Sequence, residues 1–201
     1  MNTKVDTSLA ESLEQAETAK EFVEVLFEYM MRQGQSCYDE SVTQLQHALQ
    51  AAFLARTNQA TDQQVAAALL HDIGHFVMDE QDPHSDYAQE DWCHEEVGAD
   101  LLEPFFPAEI IDAIRQHVPA KRYLCAIDEA YHDGLSPASK NSLALQGGKF
   151  TAQEAAEFAN HPHHSTIVLV RRWDDGAKVE GWEVPGLEAY RETVMACLRT
   201  D

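Results

Sequence analysis

The sequence predicts an all-α fold in one domain. Apolar residues recur at spacings of three and four along most of the chain, which is the period of an amphipathic helix. Capping signals precede such runs at Thr61, with Gln64 three residues later, and at Thr151, with Glu154 three residues later. The chain has 201 residues and contains no internal repeat or long linker, so a single domain is expected.

The periodic runs place the elements in order. The first run stops before Gly34, and Pro107 and Pro119 each stand where a helix can begin, since the first turn does not need the missing amide proton. Residues 165–170 are ambiguous between a strand and a buried helix, because a short apolar run is compatible with both periods. Residues 79–91 read as an acidic loop. The predicted helices are residues 9–32, 40–57, 65–75, 93–103, 108–117, 120–131, 137–146, 151–159 and 187–199.

The composition excludes several classes of protein. Thirty-five acidic residues against 14 basic ones give a net charge of −21, which opposes non-specific binding to nucleic acid or an anionic membrane. No apolar stretch approaches the length of a signal peptide or the ~18 residues of a membrane span. The four cysteines form no C-x-x-C pair, which argues against a zinc ribbon. We therefore expect a cytoplasmic protein without nucleic-acid or membrane partners.

Ten histidines are the unusual feature of the composition, and five residues, His71-Asp-Ile-Gly-His75, are the most informative. On a continuous helix His71 and His75 would share one face, and Asp72 could reach a metal held by His71. The zinc-protease motif H-E-x-x-H does not fit, because aspartate replaces the glutamate base. Other polar residues beside apolar, core-facing runs are His47, His94, His117 and Asp174. Buried imidazoles and carboxylates need partners, and a metal ion suits several at once.

These residues follow the H…HD…D order of the HD-domain superfamily, an all-α metal-dependent fold, and His94 and His117 resemble its dinuclear subset. More narrowly, the chain resembles the mixed-valent di-iron hydroxyphosphonate oxygenases over about residues 38–190. The motifs that carry the resemblance are QLQHALQ (44–50), AALLHDIGH (67–75), HEEVGAD (94–100), HVPAKRYL (117–124), QGG (146–148) and RRWD (171–174). The resemblance implies an HD core over about 38–190, preceded by an N-terminal helix within about 1–33 and ending with the C-terminal helix 187–199.

The resemblance implies two iron ions, Fe(II) and Fe(III), with Asp72 bridging them. The implied ligands are His47, His71, Asp72, His94, His117 and Asp174. Two six-coordinate irons offer about 12 positions, and these residues fill about seven, so about five remain for water, substrate and O₂. The resemblance also implies substrate-binding roles for His75, Lys121, Ser139 and Arg171. A phosphonate dianion suits the planar fork of arginine and the point charge of lysine.

Tyr38 and Glu40 take catalytic gating roles in this resemblance. A tyrosine before the first histidine covers the open iron position at rest, and a nearby glutamate moves in when substrate binds. Glu40 stands seven residues before His47 and matches the pattern. Tyr38 is displaced by one position, which Cys37 occupies, and we interpret Tyr38 as the gating residue and Cys37 as a bystander.

The implied reaction is O₂-dependent cleavage of the C–P bond of a 1-hydroxy-2-aminoethylphosphonate-type substrate. The favoured substrate is (R)-1-hydroxy-2-(trimethylammonio)ethylphosphonate, giving glycine betaine and phosphate. The alternative, 2-amino-1-hydroxyethylphosphonate, would give glycine. Acidic and aromatic residues within 79–92 suit a quaternary ammonium group. The resemblance also suggests a 2-oxoglutarate-dependent hydroxylase as the preceding pathway enzyme.

Three other functions stay open at this stage. A metal-dependent phosphohydrolase would use the same dinuclear centre to activate water. A non-catalytic HD module would sense a ligand, but such a module predicts a degraded ligand set, and no ligand position is missing here. Iron storage would leave Lys121 and Arg171 without a role. The sequence does not decide the oligomeric state.

Overall fold

The structure is a computed structural model that describes residues 5–36, 42–78 and 92–200. The predicted all-α fold is confirmed: the regular elements in these ranges are helices. The α-helices are α1 (Ser8–Glu14), α2 (Ala19–Gln33), α3 (Gln44–Thr57), α4 (Asp62–Leu70), α5 (Ile73–Val77), α6 (His94–Leu102), α7 (Ala108–Ile127), α8 (Glu129–Gly134), α9 (Pro137–Leu145), α10 (Ala152–Phe158), α11 (His164–Gly176) and α12 (Arg191–Cys197). A 3-10 helix (Leu187–Tyr190) precedes α12. None of the described helices is long and apolar enough to span a membrane.

Helix α7 lies at the centre of the packing. It contacts α4, α6 and α11, while α3 packs on α4 and α11, and α5 packs on α6. The core is made of fully buried aliphatic and aromatic side chains from these helices, from α2, from the turn between α6 and α7 and from the 3-10 helix, among them Leu26, Met30, Leu69, Leu70, Phe106, Ile110, Ile114, Ile167 and Tyr190. Burial of this apolar surface is the main favourable term for the fold. Five of these helices, α3, α4, α6, α7 and α11, also enclose a polar centre.

The predicted helix 9–32 is two helices. Helix α1 ends at Glu14, and Thr18 has an extended backbone with φ −135° and ψ 152°. The Thr18 side chain accepts a hydrogen bond from the amide of Glu21 and so caps α2. The apolar spacing continues across the break because both helices bury side chains in the same core, so periodicity alone did not reveal it.

The predicted helix 65–75 is interrupted at the HD pair. The capping box of Thr61 and Gln64 is present as predicted, but α4 ends at Leu70 and α5 begins at Ile73. His71 Nδ1 donates to the carbonyl of Ala68, at 2.9 Å, which in an uninterrupted helix would accept the amide of Asp72. His71 and His75 therefore do not share one face of a single helix.

Pro119 lies inside α7 instead of starting a new helix, which corrects the predicted boundary between 108–117 and 120–131. Proline removes one backbone donor, but packing of α7 against α6 and α11 maintains the helix through it. The segment following α7 forms the separate helix α8. The ambiguous run 165–170 is helical within α11, and the predicted cap at Thr151 is present.

Candidate metal centre

Two pairs of imidazoles converge on the carboxylate of Asp72. Nε2 of His47 and His71 lie 3.3 and 3.4 Å from Asp72 Oδ2. Nε2 of His94 and His117 both lie 3.3 Å from Asp72 Oδ1. Within each pair the two Nε2 atoms are 3.1 Å apart. The two oxygens of one carboxylate thus each belong to a different group of three side chains, which could hold two metal ions bridged by Asp72.

The sixth predicted residue joins the first of these groups. Asp174 Oδ1 lies 3.3 Å from His47 Nε2 and 3.9 Å from His71 Nε2. The six residues come from α3, the turn between α4 and α5, α6, α7 and α11. Five of them are at most 2% exposed, and the His94 side chain is 12% exposed. The side chains predicted to bind metal are therefore assembled in one buried centre that opens on the His94 side.

Backbone carbonyls fix the orientation of three rings. Nδ1 of His47, His71 and His117 donates to the carbonyls of Ala177, Ala68 and Ile114, at 2.8, 2.9 and 2.7 Å. A carbonyl can only accept, so Nδ1 carries a proton, and in the neutral ring Nε2 presents a lone pair. In the fourth ring, His94, Nδ1 faces a carboxylate in place of a carbonyl: Glu95 Oε2 lies 3.5 Å away. Partners of this kind set the tautomer of metal-binding histidines in general.

This arrangement suits a cation. Within the described residues no hydrogen bond reaches Asp72 Oδ2 or Asp174 Oδ1, although both oxygens are buried. Nε2 of His47 and Nε2 of His71 lie 3.1 Å apart and close to these oxygens. Buried acceptors at such distances are unfavourable without positive charge between them. The Lys178 ammonium, 3.5 Å from Asp174 Oδ1, supplies part of that charge. Imidazole and carboxylate donors are accepted by iron, manganese and zinc alike, so the donor set indicates a transition metal without selecting one.

The electrostatics of the protein chain agree with a site for positive charge. Burial acts to raise the pKa of Asp72, but the neighbouring histidines hold it well below its usual range. Burial also acts to raise the pKa of Asp174, but the charges of Arg171 and Lys178 hold it well below its usual range. Burial, together with His75, lowers the pKa of His94 to about 3. The carboxylates are therefore ionised and His94 is neutral, which are the forms that bind metal. Burial acts to lower the pKa of His47, but Asp174 and Asp72 raise it to about 9, so this ring releases a proton when a metal binds.

Two glycines let α5 and α6 approach closely enough to bring His94 to Asp72. A Cβ added at Gly74 would lie 1.9 Å from the carbonyl oxygen of His94. A Cβ added at Gly98 would lie 2.9 Å from the amide nitrogen of Gly74. The glycine in the HD motif thus has a packing reason: a side chain there would separate the two halves of the centre.

The predicted substrate-binding residues lie around this centre. The His75 ring stacks on His94 with centroids 3.8 Å apart and 18° between the planes. Lys121 is 3% exposed, and its Nζ donates to Ser142 Oγ at 2.8 Å. Burial, with the charge of Arg171, lowers the Lys121 pKa to about 8. Ser139 is buried at the start of α9.

Arg171 is occupied by acidic partners. Its Nη1 lies 2.6 Å from Asp174 Oδ2, and Nη2 pairs with Asp175. Its Nε donates to the Tyr131 hydroxyl at 3.3 Å, and that hydroxyl in turn donates to Asp175. Arg171 therefore positions the Asp174 carboxylate directly.

Tyr38, Glu40 and Cys37 lie outside the described residues, as does the loop 79–91. The gating roles of Tyr38 and Glu40 stay predictions.

Sequence reasoning missed three residues near the centre: Tyr131, Asp175 and Lys178. Asp175 lies four residues after Arg171, and Lys178 lies four after Asp174, which is the spacing of ion pairs on a helix. That spacing could have identified the two charged residues. Tyr131 is distant in sequence from α11 and had no such signal.

A further group, Asp112, His161 and His163, lies at the surface. His163 Nδ1 is 2.8 Å from Asp112 Oδ2, and His161 Nε2 is 3.8 Å from the same oxygen. His161 Nδ1 accepts a hydrogen bond from the amide of His163, so the neutral ring carries its proton on Nε2. That proton occupies the position a metal would take, and the group is better described as two donors sharing one carboxylate.

The chain is similar in sequence to a known domain family and to three known proteins. Residues 45–144 match the model of the HD domain. The chain is 56% identical over 198 residues to the hydroxymethylphosphonate dioxygenase of Gimesia maris, covering 98% of each chain. It is 45% identical over 166 residues to the [1-hydroxy-2-(trimethylamino)ethyl]phosphonate dioxygenase (glycine-betaine-forming) of Leisingera caerulea, covering 82% of this chain and 83% of the relative. An uncharacterised protein of Acanthamoeba polyphaga mimivirus is 32% identical over 166 residues, 82% of this chain and 76% of that protein.

Proposed function

We propose that the chain cleaves the C–P bond of a 1-hydroxyphosphonate with O₂, because it belongs to the HD-domain family of hydroxyphosphonate dioxygenases. One observation carries the proposal: each oxygen of Asp72 faces a separate pair of imidazole Nε2 atoms. That arrangement suits two bridged metal ions. A structural metal site would be closed by its protein ligands, whereas six residues around two ions leave positions open.

We assign two irons to the centre, a mixed-valent Fe(II)/Fe(III) pair. The proposed ligands are His47, His71, Asp72, His94, His117 and Asp174. When bound, the pair supplies the redox chemistry of O₂ and open coordination positions for substrate. Iron, rather than another transition metal, follows from the family resemblance.

The chain's own residues bind and orient the substrate. Lys121, protonated below about pH 8, and Arg171 supply positive charge for the phosphonate dianion. Ser139 supplies a hydroxyl close to them. His75, stacked on His94, lies beside the open side of the centre. Holding the phosphonate in this way fixes C1 next to the metal pair, and such positioning accelerates a reaction by removing the entropy of encounter.

The reaction balances without an external reductant. R–CH(OH)–PO₃H₂ and O₂ give R–COOH and H₃PO₄: the C–P bond breaks, C1 is oxidised to a carboxyl group, and both oxygen atoms are reduced. Four electrons leave the substrate and four enter O₂.

We propose (R)-1-hydroxy-2-(trimethylammonio)ethylphosphonate as the substrate, giving glycine betaine and phosphate. The Leisingera relative, named for this substrate, supports it. A second candidate, hydroxymethylphosphonate, is supported by the Gimesia relative, which matches over nearly the whole chain. The primary amine, 2-amino-1-hydroxyethylphosphonate, is the third. A hydroxylase dependent on 2-oxoglutarate would install the 1-hydroxyl group.

The deciding experiment measures phosphate release from these three compounds by iron-loaded protein, with and without O₂. We expect release only with O₂, and the ratio of kcat/KM values identifies the substrate. A metal-dependent phosphohydrolase would need no O₂, would release phosphate from a phosphate ester and would release none from the three phosphonates. That pattern, or equal phosphate release from a phosphonate with and without O₂, would overturn the oxygenase proposal.

Metal content tests the ligands independently of activity. His94→Ala or His117→Ala should lower bound metal from about two ions per chain towards one, since only one half of the centre loses a donor. Asp72→Ala should reduce both, because each half shares this carboxylate. His132→Ala, on α8, is the matched control and should retain two ions. Two ions in both His94→Ala and His117→Ala would contradict the assignment.

A further inference from the structure

We infer that Lys178 is an additional phosphonate-binding residue, which contacts the anion from the cavity beside the metal centre. The inference rests on the proposed function for the identity of the ligand. Lys178 is not among the residues that the sequence predicts to bind substrate. Its place in the structure, next to both the centre and Ser139, supports this role.

The cavity has a volume of about 210 Å³ and lies between α8, α9 and the end of α11. Its polar lining comes from Tyr131, Ser136, Ser139, Asp175 and Lys178. Ala130, Gly134 and Leu135 complete the wall. The cavity therefore combines the Ser136 and Ser139 hydroxyls with one ammonium group, which are donors suited to an oxyanion. The Asp175 carboxylate in the lining is already paired with Arg171 and the Tyr131 hydroxyl.

The ammonium of Lys178 lies between the metal centre and the cavity wall. Its Nζ is 3.5 Å from Asp174 Oδ1 and 3.5 Å from Ser139 Oγ. The same Asp174 oxygen is 3.3 Å from His47 Nε2. A phosphonate that binds the centre and the Ser139 hydroxyl would thus come within reach of Lys178.

The other two cations near Asp174 are held further inside. Arg171 pairs with Asp174 and Asp175, and Lys121 donates to Ser142. Both are 3% exposed, whereas the Lys178 side chain is 17% exposed. Of these three cations, Lys178 is the one whose side chain lines the cavity. An anion that enters a chain of net charge −21 needs such a cation on its path.

The test uses metal-loaded protein and methylphosphonate, a non-reacting probe, with affinity measured by calorimetry. Lys178→Met should weaken binding about 10- to 100-fold, the loss expected for one charge-assisted hydrogen bond. Lys178→Arg retains the charge and should recover most of the affinity. Lys140→Met is the matched control, since Lys140 is exposed on α9 and donates to the backbone carbonyl of Asp133. It should bind like the unchanged protein.

Metal content and melting temperature are measured on every variant. Unchanged methylphosphonate affinity in Lys178→Met would overturn the inference. So would a loss of metal in that variant that accounts for its weaker binding, because Lys178 would then serve only as the charge partner of Asp174. These results are separate from the proposed reaction: a protein that binds methylphosphonate through Lys178 but releases no phosphate with O₂ would retain this inference and lose the proposed function.

Discussion

Replacement of Gly74 by alanine tests how the close approach of α5 and α6 builds the metal centre. The added Cβ would lie 1.9 Å from the carbonyl oxygen of His94, 2.8 Å from its carbonyl carbon and 3.1 Å from the amide nitrogen of Gly98. All three are backbone atoms, so no side-chain rotation relieves the overlap. The helices must separate by about 1.5 Å before the nearest contact reaches an ordinary van der Waals distance of 3.4 Å.

Two effects follow from this separation. Overpacking of this kind costs about 1–3 kcal/mol, which for a chain of this size lowers Tm by about 2–12 °C. The shift also moves the backbone of His94, whose Nε2 lies 3.3 Å from Asp72 Oδ1 and 3.1 Å from His117 Nε2. We therefore expect Gly74→Ala to lose the metal held by His94 and His117 and to retain the metal on the other side of Asp72.

The assay combines thermal unfolding of the metal-free protein with metal analysis after reconstitution. Gly186→Ala is the matched control, because its φ is −73° and no atom lies within 4 Å of the added Cβ. It should bind two metal ions and melt within about 1–2 °C of the unchanged protein, since a surface substitution changes stability by at most ~0.5 kcal/mol. A Gly74→Ala protein with unchanged Tm and two bound metal ions would refute the packing argument.

Three further predictions concern neighbouring elements. Methylphosphonate should bind more weakly as the pH rises through about 8, because the buried Lys121 loses its proton there. Lys121→Met should remove most of this pH dependence between about pH 7.5 and 9.5. Calorimetry at several pH values measures both. Asp175→Ala removes one carboxylate partner of the buried Arg171 and should cost about 1.5–3 kcal/mol in chemical denaturation; a change below about 0.5 kcal/mol would show that the pair contributes little. Thr18→Ala removes the cap of α2 and should cost about 1 kcal/mol while bound metal stays unchanged; metal loss would contradict the separation of this cap from the centre.

Much of the fold follows from local pattern. The all-α class was predicted because helical periodicity and caps such as Thr61 and Thr151 depend on residues within one turn of each other. The boundaries that were wrong, at Thr18 and Pro119, lie where packing between helices outweighs local preference. The interruption at Asp72 is of the same kind, since the orientation of His71 serves the centre and not the helix.

The sequence by itself determined which residues gather at the polar centre. His47, His71, Asp72, His94, His117 and Asp174 were predicted together, and in the structure they lie together around one carboxylate. Their motifs could be read because each stands beside an apolar run that must enter the core, and because their order and spacing match a known family.

Only the tertiary structure decided the distances on which chemistry depends. Three such contacts join segments that are separated in sequence: Gly74 with α6, Arg171 with the Tyr131 hydroxyl, and Lys178 with Ser139. Helix periodicity states which face of a helix is buried, but not which partner it meets. The docking of α11 against α3 and α7 is what turns three predicted segments into one metal centre with an adjoining cavity.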